Sequence, residues 1–262
     1  MRQSLATRIH ETAIVDPTAQ LDDDVEIGPY AIIGPSVRVG AGTRILSHAV
    51  IVRDTTIGER CEIHYGAVVG GDPQDKKYEG EHTVCMVGND TVIREYATIS
   101  RGTRALGRTQ VGDGCLLMAY VHVAHDCQVG DGVILSNAVN LAGHAAVDEM
   151  AIIGGMVGVL QFVRVGAHAF VGSNTRVQKD VPPYVKAAGN PIQLFGLNTV
   201  GLDRRGFPEN VKTELRKAYR LFFQSKLNIS QALERARDDL HPYPEVVRFL
   251  TFISESERGI TV

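Results

Sequence analysis

Aliphatic residues recur at every sixth position from Val111 to Val177, through Leu117, Val123, Val129, Leu135 and Leu141, without an exception. Four places after each stands a small or β-branched residue, as at Cys115, Val121, Cys127, Val133 and Ala145. A period of six fits neither an α-helix nor a two-sided strand, so it marks the repeat unit of a solenoid. Each hexad reads as a short strand and a corner. The first residue points inward, and the small fifth lets the chain turn. Gly after the aliphatic (Gly112, Gly130, Gly154) or at the fourth place (Gly114, Gly132) supplies the backbone angles of the corner. Three hexads close a triangular coil of about 18 residues, and successive coils stack as parallel strands about 4.8 Å apart.

The pattern begins near Ile9 and holds to Val69, then fails over Gly71–Glu81, which is polar and lacks an inward column. That stretch reads as a loop thrown out of the solenoid, an excursion near 71–86. The repeat resumes at Val87, breaks again over Ala105–Gln110, and then runs unbroken to Val177. Interruptions in a strict repeat point to function, since the solenoid does not need them. At Asp180-Val181-Pro182-Pro183-Tyr184 the repeats stop, because consecutive prolines cannot continue a ladder. Beyond them the period changes. Pro208 suits the first turn of a helix with Val211, Leu215, Ala218, Tyr219 and Phe222 on one face. Ser230 is placed to cap a second helix carrying Leu233, Ala236 and Leu240, and Pro244 opens a third. The chain therefore divides into a mainly β solenoid over 1–190 and a small α-helical domain over 191–262.

Composition adds limits. Trp is absent and aromatics are 6%, which suits a thin solenoid. A net charge of −3 carries no nucleic-acid footprint. No stretch is apolar enough for a membrane span. Met1-Arg2-Gln3-Ser4 leads into polar sequence, unlike a signal peptide, so a cytoplasmic address is expected. From Pro183 onward 12 Lys and Arg face 9 Asp and Glu, which makes the helical end the basic one. Cys61, Cys85, Cys115 and Cys127 share the small fifth phase and form no CxxC, so they read as buried hydrophobes rather than disulfide or zinc ligands.

Three of nine histidines crowd one region: His122, His125 and His144. A lone histidine on a solenoid face is usually a solvated or packed ring, but three in neighbouring coils outside the inward column favour a site. At one coil per step, His125, Gly143 and Gln161 should form a column, with Asp126 beside His125 to fix its tautomer and raise its basicity. His10, His48, His64, His82, His168 and His241 read as surface or structural.

Several segments carry a closer likeness: Ile27-Gly28-Pro29-Tyr30, Asp75-Lys76-Lys77-Tyr78, Ala124-His125-Asp126-Cys127, Leu141-Ala142-Gly143-His144, Gly189-Asn190-Pro191, and Gly201-Leu202-Asp203-Arg204-Arg205-Gly206-Phe207. In this order the chain resembles, over almost its whole length, the UDP-N-acetylglucosamine O-acyltransferases, hexapeptide-repeat enzymes that open lipid A synthesis. The resemblance implies a left-handed parallel β-helix, although crossovers usually wind right-handed, and a homotrimer. It implies transfer of a 3-hydroxyacyl chain from acyl carrier protein to the sugar 3-position, with no metal and no cofactor beyond the carrier's pantetheine arm. His125 would be the general base, Asp126 its partner, and the Gly143 N–H the oxyanion donor. His122, His144 and Gln161 would contact the sugar or the pantetheine arm, Gln74 would bind substrate, and Lys76, Arg204 and Arg205 would meet phosphates. Asn198 would read the uracil. Lys212, Arg216, Lys217 and Arg220 would dock the acidic carrier.

Ser100, Leu160 and Val200 depart from the family pattern, which leaves a 3-amino sugar and an amide product as an alternative. Ser173 lies on the family's acyl-length path, and its small side chain implies a chain above ten carbons. Two rivals of other classes are weighed against this. A trimeric β-helix zinc lyase would use His122, His125 and His144 as ligands. A purely structural solenoid would show regular exposed Thr rows, which this sequence lacks.

Overall fold

The computed structural model describes residues 6–262, so the stretch Met1-Arg2-Gln3-Ser4 lies outside the described residues. Most hexads contribute a strand of two residues, the sixth and first of the repeat, as at Leu116–Leu117 and His122–Val123, and strands lengthen to three or four residues beside the interruptions. Such strands are stable only in stacks. Leu117 pairs with Leu135 and Leu135 with Ile153 in the first wall. Val123 pairs with Leu141 and Leu141 with Val159 in the second, and Val129 pairs with Val147 in the third. Among the described residues the three sheets hold 11, 9 and 8 strands, and every pairing but the last is parallel. The inward column is core: Leu117, Leu135, Leu141 and Ile153 are wholly buried, each burial contributing about 1.5–3 kcal/mol gross. The four cysteines are buried and unpaired in the same interior.

The glycine pattern reveals the corner rule only in part: Gly114 (φ 61°) and Gly132 (φ 62°) supply it at the fourth place as expected. The left-handed backbone conformation falls at the fourth place, and mostly on residues other than glycine: Asp126 (φ 61°), His144 (φ 63°) and Phe162 (φ 63°). Glycine after the aliphatic serves close stacking instead. A Cβ on Gly154 would come within 2.6 Å of the Ser173 nitrogen one coil on.

Register shows what the two interruptions are. Ile63 pairs with Ile93, 30 residues on, and Ile93 with Leu117, 24 residues on, where the regular partner lies 18 residues on. The first excursion is shorter than 71–86, since Val84–Val87 is already a strand of the third wall, paired with Arg108–Val111.

The solenoid ends in an antiparallel hairpin, Val185–Ala188 with Gln193–Leu197, which straddles the expected boundary at 190/191. Helices α1 (Thr199–Arg204), α2 (Glu209–Phe223), α3 (Ile229–Asp239) and α4 (Pro244–Ser254) follow. The sequence pattern missed α1. Pro208 stands just outside α2 rather than in its first turn and makes no side-chain capping bond, while Val211, Leu215, Ala218, Tyr219 and Phe222 are buried as that face requires. Ser230 does not cap α3. Asn228 does, in a reciprocal box with Gln231, because its side chain reaches the third N–H whereas Ser230 is already inside the first turn. The helices return to the solenoid through Arg248, which pairs with Glu149, and through Asp180, which accepts from Arg164 N–H at 2.8 Å and Ser256 Oγ at 2.7 Å.

Candidate active site

The corner between the second and third walls gathers the chemistry. His125 follows the strand His122–Val123, and Asp126 takes the left-handed place next to it. His125 Nδ1 lies 2.9 Å from Asp126 Oδ2, and His144 Nε2 lies 3.6 Å from the same oxygen. The expected column forms. A Cβ on Gly143 would meet the His125 ring, 2.7 Å from Nε2, so only glycine lets the imidazole lie over this peptide. His144 N–H bonds the His125 carbonyl at 3.1 Å, and Phe162 N–H bonds that of Gly143 at 3.3 Å, which sets Gln161, exposed, on the third coil. Among the described residues no acceptor engages the Gly143 N–H. His144 stacks on Phe162, ring centroids 4.5 Å apart, and meets His125 edge-on.

The second interruption, which runs over 101–107 rather than Ala105–Gln110 because Arg108–Val111 is already strand, explains Asp126. Thr103 donates its N–H (3.0 Å) and its Oγ1–H (2.6 Å) to the carboxylate, and Leu106 N–H adds a third bond at 3.3 Å. Thr109 Oγ1 accepts the Asp126 N–H at 2.8 Å. Burial opposes ionisation of this carboxyl, but the bonds from Thr103 and His125 outweigh it and hold the group below the usual carboxylate range. His122 is turned otherwise. Its Nδ1 meets Thr98 Oγ1 at 2.7 Å, and burial, then His125, push its pKa down.

The other expected residues stand elsewhere. Gln74 and Lys76 are exposed on the excursion, which leaves the second wall beside Thr98–Ser100, the neighbour of His122–Val123. Ser173 is exposed on the first corner, with Gly155 one coil before it. Asn198, Arg204 and Arg205 lie around α1, against the third corner. The Asn198 amide accepts from Gly201 N–H at 3.2 Å and donates to the His168 carbonyl at 3.0 Å, so its cap role occupies half of it. Arg205 is half-buried, 3.5 Å from His168 Nδ1, while Arg204 is exposed. On α2, Lys212 and Arg216 both pair with Glu209 at 2.8 Å and Lys217 with Glu214 at 2.7 Å; Lys212 also meets Asp203. Arg220 is exposed and makes no ion pair among the described residues. Sequence reading missed Thr98, Arg101 and Thr103, whose only signal was their place beside an interruption.

A metal reading has a geometric basis, though not the one expected. Donor atoms of His125, Asp126 and His144 lie within 4.8 Å of one another, whereas His122 is outside that group. Asp126, however, already takes four hydrogen bonds, from His125, Thr103 and Leu106, which uses the lone pairs a cation needs. The set fits a hydrogen-bonded base better than a ligand sphere.

Six-residue repeats closed into three walls are the build of hexapeptide-repeat transferases, and residues 108–143 match the bacterial transferase hexapeptide family. Residues 9–105 match the GMPPB C-terminal domain, and residues 180–261 match domain 2 of Udp N-acetylglucosamine O-acyltransferase. The acyl-[acyl-carrier-protein]–UDP-N-acetylglucosamine O-acyltransferase of Thermodesulfovibrio yellowstonii is 46% identical over 253 residues, 96% of this chain and 98% of that one. Its counterpart in Chlorobaculum parvum is 52% identical, covering 96% of each. The crystal structure of the UDP-N-acetylglucosamine acyltransferase of Bacteroides fragilis superposes with a TM-score of 0.95 at 40% identity, over 97% of this chain and 100% of that one. The chain belongs to the UDP-N-acetylglucosamine O-acyltransferase family. Its coils wind left-handed, against the usual preference of strand crossovers.

Proposed function

We propose that the chain moves a 3-hydroxyacyl group from the thioester of acyl carrier protein to the 3-hydroxyl of UDP-N-acetylglucosamine, the reaction that opens lipid A synthesis. One observation carries the chemistry: His125 Nδ1 faces Asp126, so its Nε2 is the free base, and that nitrogen lies over the Gly143 peptide. His125 Nε2 takes the proton as the sugar oxygen attacks the thioester carbonyl. The Gly143 N–H faces the oxygen that gains charge, and collapse of the tetrahedral intermediate expels the pantetheine sulfur, which recovers the proton from His125. A positioned base contributes about 10²–10⁴-fold and one oxyanion donor about 10²–10³-fold. No cofactor enters this scheme.

His144, held between Asp126 and Phe162, and His122 would contact the sugar or the pantetheine arm, with Gln161 one coil on. Gln74 and Lys76 would meet substrate from the excursion. Arg204 and Arg205 would take phosphate, and Asn198 keeps one N–H and one lone pair for uracil. Arg220, exposed on α2, is the cation best placed to meet an acidic carrier; Lys212, Arg216 and Lys217 would have to share their acids with it. The working form in this reading is a homotrimer in the cytoplasm. Support for the trimer is that the expected residues occupy three different corners of one prism, so that a neighbouring copy would close the cleft. The first corner also exposes stacked Tyr96 and Tyr120.

Mass spectrometry of products from 3-hydroxy and 3-amino sugar nucleotides, with wild type and His125→Ala, tests the reaction. An ester lost in the variant is expected. An amide product moves the acceptor to nitrogen, and undiminished transfer by His125→Ala refutes the base.

A further inference from the structure

The side chain of Arg101 is among the largest in the molecule to be fully buried, at 1% exposure. A guanidinium stays charged wherever it is placed, so burying one is costly unless its donors are engaged. Here Nη1 and Nη2 are spent on the excursion and on the strand that leads into it, while Nε is buried without a partner among the described residues. Nη1 bonds the Gly70 carbonyl at 2.6 Å, and Nη2 bonds the Tyr78 hydroxyl at 3.0 Å and the Asp72 carboxylate. The next residues continue the pattern. Arg101 N–H bonds Gly71 O at 2.8 Å, Gly102 N–H bonds Val84 O at 3.3 Å, and Arg104 N–H bonds Glu81 Oε1 at 3.1 Å. Between them Thr103 turns the other way and grips Asp126. Four consecutive residues thus tie both ends and the middle of the excursion to the carboxylate behind His125.

We propose that Arg101 is a positioning residue for acyl transfer: it latches the 72–83 excursion, with Gln74 and Lys76, to the strand end whose Thr103 holds Asp126. This rests on the reaction proposed above. A hydrophobic residue would fill the same interior at lower cost, and what Arg101 adds is a fixed loop geometry. The loop and the base are thereby held in one register, although they enter the site from different coils.

Two readouts separate the latch from the reaction. Without substrate, trypsin cleavage after Lys76 or Lys77, identified by fragment mass, reports loop release. Steady-state kinetics report its consequence. The double variant Asp72→Ala with Tyr78→Phe removes two partners and leaves the buried cation in place, so it keeps the test open if Arg101→Met fails to fold. Loss of bonds to a charged group should raise cleavage and the KM for the sugar nucleotide about tenfold, with kcat changed less than about threefold. Arg101→Lys should recover part of that loss. Cleavage equal to wild type in the double variant overturns the latch, as does a fall in kcat with KM unchanged. Wild-type protein that transfers no acyl group would overturn the reaction, while the cleavage result would still stand.

Discussion

Asp126 shows how much one side chain depends on chain that is distant in sequence. Its adjacency to His125 is written in the sequence, and so is the inference that a carboxylate beside an imidazole sets its tautomer. Thr103 is not, because it reaches Asp126 only through an insertion that shifts the pairing register. His168 is the opposite case, read as structural from sequence and found in an environment with a measurable signature. Burial, then Arg205, lowers its pKa from 6.5 to about 4, with Arg248 adding to the effect and Glu149 opposing it. The unfolded chain therefore binds a proton there that the folded one does not between pH 6.5 and about 4. Stability rises with pH across that window and is lost as pH falls through the folded value. Discounted for partial exposure, His168 should account for about 2 kcal/mol of that slope. Urea unfolding of His168→Asn from pH 7 to 4 should show a flatter slope than wild type; an equal slope would exclude the effect.

At the scale of elements, the hexad was legible because one wall residue in six must be buried, and burial leaves an aliphatic signature. Corner conformation left only a partial one: Gly114 and Gly132 mark it, while Tyr120, Asp126, His144 and Phe162 hold the same positive φ without a glycine. Helix starts were similarly half visible. The α2 face is legible in the spacing, whereas the α3 cap stands two residues before Ser230, since both Asn228 and Ser230 are good caps and only the backbone shows which one lies outside. Asn228→Ala should cost about 1 kcal/mol and Ser230→Ala only a few tenths, measured by denaturant unfolding. The reverse order would return the cap to Ser230.

The whole molecule poses the question of assembly. One prism places His125 on its second corner, Ser173 on its first and Arg205 against its third, and no ligand can touch all three from a single side. Sedimentation should give three times the 28.4 kDa chain mass. A monomer that keeps full activity would show that the residues on the other corners take no part. In such an assembly the acyl chain would run past Ser173, exposed and small beside Gly154. Turnover across carrier-bound chains should favour those above about ten carbons, because a short side chain leaves the path open. Ser173→Met should shift that preference to shorter chains, and a wild-type optimum at ten carbons would reject the ruler.

Repetition made the coil, its 18-residue step and the His125–Gly143–Gln161 file readable from one line of letters, because each coil must bury the same column against the last. That step assumes nothing interrupts it. Where twelve residues swing out after Gly71 and a shorter run breaks in after Arg101, sequence distance no longer measures spatial distance. The partners of Asp126, the grip of Arg101 on the loop and the sharing of residues among three corners therefore came from the folded chain. They are contacts between coils brought together by pairing, and no local period encodes them.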